Sequence, residues 1–252
     1  MTLTLSDWFS LEVWRVALVF LRVGAAFMLL PGFGESWVPL RVRLLTGLAI
    51  AAACAQAAPG MPDAVPAAWE LVRAVAAEVA AGALIGLIAR TMISAVQTAG
   101  SVIGQNIGMA NLFAIGLSPD QSATIGAALY AGLAAALFAA DGHHAVLRAI
   151  IDSYATLPAG HFPDPGGGAR VLVEAGLRAM RLAGQLAMPF LLVGLCFNVT
   201  LAVINRALPS LPVFNLAAPA LTVAGLYLLS VTAPGLLDQG LAAWGDMLGL
   251  LQ

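Results

Sequence analysis

The chain has 252 residues, of which 61% are hydrophobic and only 10% are charged, and its mean hydropathy is +0.93. Soluble domains carry about 25% charged residues, so this composition predicts an integral membrane protein. The net charge of −2 gives no electrostatic support for nucleic-acid binding, so no nucleic-acid partner is expected. Cys54 and Cys196 lie in apolar runs and form no Cys-x-x-Cys pair, which predicts two small buried residues instead of a redox or metal site.

The first predicted helix covers residues 7–30. It is expected to be retained in the mature protein, because Asp7 and Glu12 stand where a signal peptide would be basic. Glu12, Arg15 and Arg22 follow one another at spacings of three and seven, which places them on one helical face. An arginine at the centre of a bilayer costs at least about 2.5 kcal/mol. We therefore expect this face to contact protein or water, and the helix to pack within an assembly.

Two stretches rich in proline and glycine, 31–39 and 59–66, end the first and second predicted helices. A long helical tract follows, from Ala67 to about Ala110. Glycines at every fourth position of a helix leave a groove that another backbone can approach closely, so we predict close helix packing or a pore-facing role for them. The glycines at this spacing are a pair and a triplet: Gly82 and Gly86, then Gly100, Gly104 and Gly108.

The second half of the chain alternates between apolar helices and loops. Its predicted elements are a loop over 111–121, a helix over 121–140, a linker over 157–168, a helix over 169–205 with a kink at Pro189, and a connection over 206–214. The apolar stretch 207–237 is interrupted by four prolines, and an amphipathic segment over 235–251 ends the chain. Because no β pattern is present, the sequence predicts an all-α fold.

The densest polar cluster lies in DGHHAVLRAIID, residues 141–152. Its ionisable side chains are Asp141, His143, His144, Arg148 and Asp152. Such a cluster can be a metal site, a catalytic group or the wet end of a membrane helix. A zinc protease would need His-Glu-x-x-His, whereas adjacent histidines on a helix point about 100° apart and do not easily share one ion.

A phosphatidyltransferase motif also begins with Asp-Gly-x-x-Ala, but Val146 replaces its arginine and its later aspartates are missing. We therefore predict no enzymatic activity, no metal site and no cofactor. The cluster instead predicts an interfacial turn, in which Asp141 lies near the favourable N-terminus of a new helix. Arg148 and Asp152 are four residues apart and can form an ion pair on that helix.

Four segments in order resemble the FliR family of bacterial flagellar export-gate proteins. They are the Arg-Gly, Pro-x-Phe-Gly and Val-Pro-x-Arg-x-Arg run in 21–51, the glycine-rich helix with its following loop, the Gly-His to Pro-x-Gly run in 142–160, and the Arg-x-x-Pro segment in 205–219. The residues at the family's motif positions are Arg22, Pro31, Phe33, Gly34, Pro39, Arg41, Arg43, Gly142, His143, Arg148, Tyr154, Pro158, Pro209 and Phe214.

The resemblance implies a core subunit of the flagellar type III protein export gate, which passes unfolded flagellar proteins across the bacterial inner membrane. The implied fold is a FliP-like part over 1–168, followed by a FliQ-like helical hairpin over 169–252. The implied partners are FliP, FliQ, FlhB and FlhA, and the implied location is the basal body of the flagellum. No cofactor is implied.

The resemblance also assigns residues 111–120 to the loop that narrows the family's channel. Phe113 matches one phenylalanine of that loop, whereas Ile115 and Gly116 stand where many relatives have a second one. An ordinary buried loop position is the alternative for Phe113. The residues expected to line the constriction are Met109, Leu112, Phe113 and Ile115.

Two other functions remain open on the sequence. The homologous subunit of a virulence-type secretion system shares the architecture, so the sequence discriminates weakly between the two systems. A secondary transporter would place charged residues at mid-membrane around broken helices. No carboxylate lies within 91–119 or 182–205 to couple ions, which argues against a transporter.

Overall fold

The computed structural model describes residues 5–35, 38–107, 123–207 and 213–251. This part of the chain is 85% helical and contains no strand, which confirms the predicted all-α fold. Its helices are α1 (Leu5–Leu29), α2 (Leu40–Cys54), α3 (Ala68–Asn106), α4 (Ala123–Ala139), α5 (Gly142–Thr156), α6 (Pro165–Ala207) and α7 (Val213–Leu248), followed by a 3₁₀ helix (Gly249–Leu251).

Helix α6 begins earlier than the sequence predicted. The linker was expected to continue to residue 168, but Pro165 opens the helix and the three glycines after it form its first turn. A carboxylate oxygen of Asp164 accepts a hydrogen bond of 2.6 Å from the amide of Gly167, which satisfies one of the unpaired donors at the helix start. Proline is favoured at this position because its fixed φ suits the first turn and it has no amide to leave unpaired.

Helix α7 corrects the expectation that prolines interrupt the last apolar stretch. It runs from Val213 to Leu248 with Pro219 and Pro234 inside it. Each proline removes one backbone hydrogen bond, at a cost of about 3 kcal/mol in a soluble helix. Membrane helices tolerate such positions because neighbouring groups satisfy the freed carbonyls. From Val213 to Leu248, the apolar stretch and most of the final amphipathic segment are therefore one helix.

Three helical segments of the described chain are long and apolar enough to cross a membrane. They are α3, α6 and the part of α7 from Pro219 to Leu248. Helices α4 and α5 would give a fourth span if the pair, which is bent by 74°, is counted as one. Together with the composition, these helices make the chain a membrane protein.

The chain divides into two compact units. The first contains Met1–Met92, Leu137–Gly176 and Trp244–Gln252, and the second contains Ile93–Ala136 and Leu177–Ala243. The fully buried side chains of the first unit include Leu18, Phe27, Ile88, Ile150 and Tyr154. Those of the second include Ile103, Leu133, Leu186 and Phe190. The division into a FliP-like and a FliQ-like part rests on sequence resemblance and stays a prediction.

In the first unit, α3 packs closely on α1 through Gly82 and Gly86. A Cβ atom added at Gly86 would lie 2.8 Å from the carbonyl oxygen of Ala26, and one added at Gly82 would overlap the carbonyl oxygen of Arg22. Neither neighbour can yield, because both are backbone atoms. The four-residue glycine spacing therefore marks the helix crossing that brings Arg22 against α3.

In the second unit, α3 and α4 meet at two glycines. A Cβ atom added at Gly100 would lie 2.7 Å from Cα of Gly126, so the two backbones are in direct contact. Helix α7 contacts the end of α3 in the same unit, where the hydroxyl of Thr222 donates a 2.9 Å hydrogen bond to the carbonyl oxygen of Ile107. Gly104 is also buried, whereas Gly108 lies outside the described residues.

Candidate functional site

A fully buried ion pair lies at the centre of the first unit. Nε of Arg22 donates a 2.7 Å hydrogen bond to one carboxylate oxygen of Glu78, and a terminal guanidinium nitrogen donates to the other oxygen at 3.2 Å. Both side chains are 0% exposed. Two parallel hydrogen bonds between planar groups give a bidentate geometry, which is the strongest form of this contact. Arg22 lies on the face of α1 that was expected to contact protein or water, and its contacts with protein confirm this expectation.

Each partner of the ion pair has further hydrogen bonds. Arg22 donates to the hydroxyl of Ser153 at 2.9 Å and to the carbonyl oxygen of Leu157 at 3.1 Å. Glu78 accepts a 2.9 Å bond from the hydroxyl of Tyr154 and a 2.8 Å bond from the amide of Gly160. Buried charges are tolerated only when their remaining donors and acceptors are satisfied in this way. The network therefore joins α1, α3, α5 and the loop after α5.

The aromatic ring of Tyr154 also contacts the guanidinium group. The central carbon of the Arg22 guanidinium lies 3.6 Å from the ring centroid, which is a cation–π contact in a buried site. Glycines shape the surrounding loops, since Gly60 and Gly160 both have positive φ angles, of 68° and 75°. A Cβ atom at Gly60 would contact Pro158, so this turn packs directly against the loop after α5.

A ladder of aromatic rings connects the turn after α1 to the start of α5. Phe33 stacks on Phe27 with ring centroids 4.6 Å apart and meets Phe138 at 5.6 Å. Phe138 in turn stacks on His143 at 5.1 Å. Gly32 allows this contact, because its φ angle is +83° and an added Cβ would lie 2.6 Å from the ring of Phe138. The Pro-Gly-Phe-Gly and Gly-His segments, which are distant in sequence, therefore meet through one phenylalanine.

The other α1 charges lie at a partly exposed position. Arg15 donates a hydrogen bond of 3.2 Å to Glu12, one turn earlier, and its Nε donates to the carbonyl oxygen of Pro62 at 3.1 Å. A longer contact of 3.5 Å reaches the exposed carboxylate of Asp63. Because these groups keep partial contact with solvent, they contribute little stability compared with the buried pair.

The polar cluster begins as predicted, with Asp141 directly before α5, but two details of that prediction are wrong. The rings of His143 and His144 do not point apart; their centroids are 4.1 Å apart, because the side-chain torsions turn the rings towards each other. Arg148 and Asp152 are both exposed, and neither has an ion-pair partner in the part of the chain that the structure describes. Long side chains at an exposed helical surface gain too little from pairing to offset their lost freedom.

The remaining motif positions are mostly at turns. Pro39 precedes the first residue of α2, and a terminal nitrogen of Arg43 donates a 2.8 Å hydrogen bond to the carbonyl oxygen of Glu35. Gly34 donates to the carbonyl oxygen of Leu30 at 2.7 Å and closes the turn after α1. The other positions in this group are Pro31 in the same turn, Arg41 exposed on α2, and Gly142 against Leu137 and Trp244.

Several predicted residues lie outside the described part of the chain. They are Gly108, Met109, Leu112, Phe113, Ile115 and Pro209. Phe214 lies in the first turn of α7, where only the backbone is described. The expected constriction loop over 111–120 therefore stays a prediction.

Sequence reasoning missed two residues that organise the site, Glu78 and Phe138. Glu78 is a single carboxylate in an otherwise apolar run of α3, and such a group must find a cation or a set of donors when it is buried. That signal, set beside the equally isolated Arg22, was sufficient to suggest the pair. Phe138 carries no comparable signal, because aromatic residues are ordinary in apolar helices.

A model of the family described as bacterial export proteins, family 1, matches residues 13–247, which include every motif segment described above. The chain belongs to this family. The match contains both the Arg22–Glu78 network and the aromatic ladder. The network and the ladder therefore both lie in the part of the chain that matches this family, which is almost its whole length.

Three curated relatives of this bacterial export protein are named flagellar biosynthetic protein FliR. The chain is 30% identical to that of Caulobacter vibrioides over 206 residues, which are 81% of this chain and 82% of the relative. It is 28% identical to that of Escherichia coli K12, over 82% of this chain and 78% of the relative. It is 26% identical to that of Aquifex aeolicus, over 78% and 76%. The resemblance to the FliR family is confirmed.

Proposed function

We propose that this chain is a subunit of the flagellar protein export apparatus. The family match over residues 13–247 carries the proposal, because it extends from within α1 to near the end of α7 and includes α2 to α6 entirely. Relatives that align with about four fifths of the chain are named as flagellar biosynthetic proteins, which supports the flagellar system. The proposal assigns no enzymatic activity to the chain.

More specifically, the chain is a core subunit of the export gate in the bacterial inner membrane, at the flagellar basal body. It assembles with FliP and FliQ and contacts FlhB and FlhA, and the gate passes unfolded flagellar proteins outward. The exposed apolar faces of α6 and α7 support an assembly of this kind, because they can be covered by lipid or by partner helices. The most exposed of these residues are Met180, Val203, Val223 and Tyr227.

Deletion and co-purification test this function. Deleting the gene should abolish motility and the secretion of flagellar subunits, and the wild-type gene should restore both. Affinity purification of the full chain in mild detergent should recover FliP and FliQ in fixed ratio. Motility that survives deletion together with loss of another secretion activity would favour the virulence-type system. A chain that purifies alone or only with itself would favour a transporter.

The gate loop is the finer part of the proposal. Phe113, with Met109, Leu112 and Ile115, lines the constriction, since a ring of apolar side chains blocks ions yet yields to a passing chain without specific hydrogen bonds. Replacing Phe113 and Ile115 together by Ala should raise ion leakage across the inner membrane in cells that contain the assembled gate. Leakage is measured as dissipation of the membrane potential.

The matched control for this test is Phe162→Ala, which removes the same ring from an exposed loop position. This control should leave ion leakage at the wild-type level. Unchanged leakage and normal motility in the Phe113 and Ile115 variant would contradict the gate assignment. Such a result would not affect the assignment to the export apparatus, which the deletion and co-purification experiments test separately.

A further inference from the structure

Three side chains at the turn between α4 and α5 converge on one point. Asp141, His143 and His144 can each offer one ligand atom, and these atoms all lie within 4.8 Å of one another. Within this cluster, Oδ1 of Asp141 lies 3.3 Å from Nδ1 of His144. Ligand atoms of a four-coordinate metal ion with bonds of about 2.0–2.2 Å are separated by slightly more than 3 Å, so small side-chain rotations bring the three within range.

The backbone at the turn explains how these side chains meet. Asp141 has a φ angle of 56°, and it is the single non-glycine residue with positive φ among the described residues. Aspartate is one of the few residues that tolerate this left-handed conformation. The conformation places its carboxylate beside the first turn of α5, next to His144. The two histidine rings then lie side by side, with centroids 4.1 Å apart.

The histidines have lone pairs available for a ligand. Nδ1 of His143 is shielded from solvent and has no hydrogen-bond partner in the described part of the chain, so no contact there fixes which ring nitrogen carries the proton. The His144 and Asp141 side chains are 62% and 77% exposed, so a hydrated ion can reach them. A pair of imidazoles with one carboxylate is a common donor set for zinc and neighbouring divalent transition metals.

A groove of about 870 Å³ lies beside this cluster. Asp141 and His144 form part of its wall, together with Arg148 and Asp152 of α5 and residues from the end of α7 and the 3₁₀ helix after it. The groove leaves space for water to complete the coordination of an ion held by three protein ligands. A site with three protein ligands and one open position is a known arrangement for zinc.

We propose that Asp141, His143 and His144 form a binding site for a divalent transition-metal ion of the zinc class. The competing interpretation is a simple ion pair between Asp141 and His144 at the start of α5, where the helix dipole disfavours a cation. The negative charge of Asp141 offsets that dipole. An ion pair uses two of the three groups, whereas the proposed site also uses His143, which its stacking on Phe138 holds beside His144. This proposal is independent of the export function.

Zinc binding to the purified full chain tests the site. The chain is prepared in detergent with a streptavidin-binding tag, so that no polyhistidine is present, and Zn²⁺ is titrated in competition with a chromophoric chelator. The wild type should bind one ion per chain. His144→Ala and Asp141→Asn should each weaken binding at least about tenfold, because even second-shell changes cost 10–100-fold in metal affinity.

His161→Ala is the matched control, since His161 is exposed in the loop after α5 and lies outside the cluster. It should bind Zn²⁺ like the wild type. Co²⁺ in place of Zn²⁺ should give the visible absorption of a four-coordinate site, and His144→Ala should abolish this absorption. Thermal unfolding without metal should be the same for all the variants, because the altered side chains are largely exposed.

Two results would overturn the proposal. One is wild-type binding no tighter than that of His144→Ala. The other is an equal loss of binding in His161→Ala, which would show that any histidine of the chain binds the ion nonspecifically. Either result would leave Asp141 and His144 as an ion pair at the start of a helix.

Discussion

The unit that contains α1 and α5 and the unit formed by Ile93–Ala136 and Leu177–Ala243 differ in what holds their helices together. In the first, a guanidinium and a carboxylate with no solvent exposure join three helices and a loop. In the second, α3 and α4 meet backbone to backbone at Gly100 and Gly126, a type of contact that the first unit has as well, at Gly82 and Gly86.

The difference shows two ways to fix helices where the surrounding lipid is as apolar as the protein. A hydrogen-bonded charge network selects one arrangement, because any other leaves charges unpaired. Close backbone packing depends on shape alone, because it gains dispersion energy only when no side chain intervenes. The charge network should therefore be sensitive to the removal of a side-chain group, and close backbone packing to the addition of one.

The largest effect is expected from removing Glu78. Glu78→Ala leaves the Arg22 guanidinium buried without its counter-charge, and breaking a buried pair in this way costs about 3–5 kcal/mol. Thermal unfolding of the purified chain in detergent should show the loss. Glu70→Ala makes the same change at an exposed position of the same helix and should stay within about 0.5 kcal/mol of wild type. Equal stability of the two variants would contradict the network's role.

A smaller loss is expected from enlarging Gly100. Gly100→Val places methyl groups where Cα of Gly126 already lies 2.7 Å from the position of an added Cβ, and overpacking of this kind costs about 1–3 kcal/mol. Gly184→Val is the control, since no atom lies within 4 Å of its added Cβ. Thermal unfolding of the isolated chain should show that Gly100→Val is less stable than Gly184→Val. If both were equally stable, the α3–α4 contact would not be tight.

The smallest effect of the three is expected from Tyr154→Phe. The variant keeps the ring beside Arg22 but loses the hydroxyl that donates to Glu78, and the carboxylate retains its bonds from Arg22 and Gly160. A loss of about 1 kcal/mol follows from one hydrogen bond among several. Tyr227→Phe, at an exposed ring, should cost nothing measurable. A Tyr154→Phe variant as unstable as Glu78→Ala would mean that the hydroxyl, not the ion pair, holds the network.

Several features of the fold follow from the sequence because they depend on neighbouring residues, or on a rule that concerns a single residue. An arginine in hydrocarbon costs at least about 2.5 kcal/mol, so a contact of Arg22 with protein or water was predictable. The spacing of Gly82 and Gly86 predicted a close helix crossing without naming the partner helix. Turns rich in proline and glycine placed most helix ends within a few residues.

The rest depends on contacts between distant residues. The sequence marks Arg22 and Glu78 as isolated charges that need partners, but the packing that brings them together across 56 positions is not a local property. Phe138 was indistinguishable from its apolar neighbours. Pro219 and Pro234 were predicted to interrupt the helix, because helix propensities that hold in water were applied to an apolar helix. His143 and His144 were placed on separate faces, because backbone geometry fixes the direction of Cβ but not the side-chain torsions.

The loop after α5 enters the buried network through its main chain alone, with the carbonyl of Leu157 and the amide of Gly160 as its two contacts. Main-chain groups are the same in every residue type, so the network itself restricts the loop's side chains only at Gly160, with its positive φ, whereas Pro158 is restricted separately by its packing against the turn at Gly60. Loop length is different. Removing one residue between the two contacts would shorten the reach of the chain by up to about 3.6 Å, more than a hydrogen bond can stretch. The length of this segment should therefore be more similar among relatives than its amino-acid sequence.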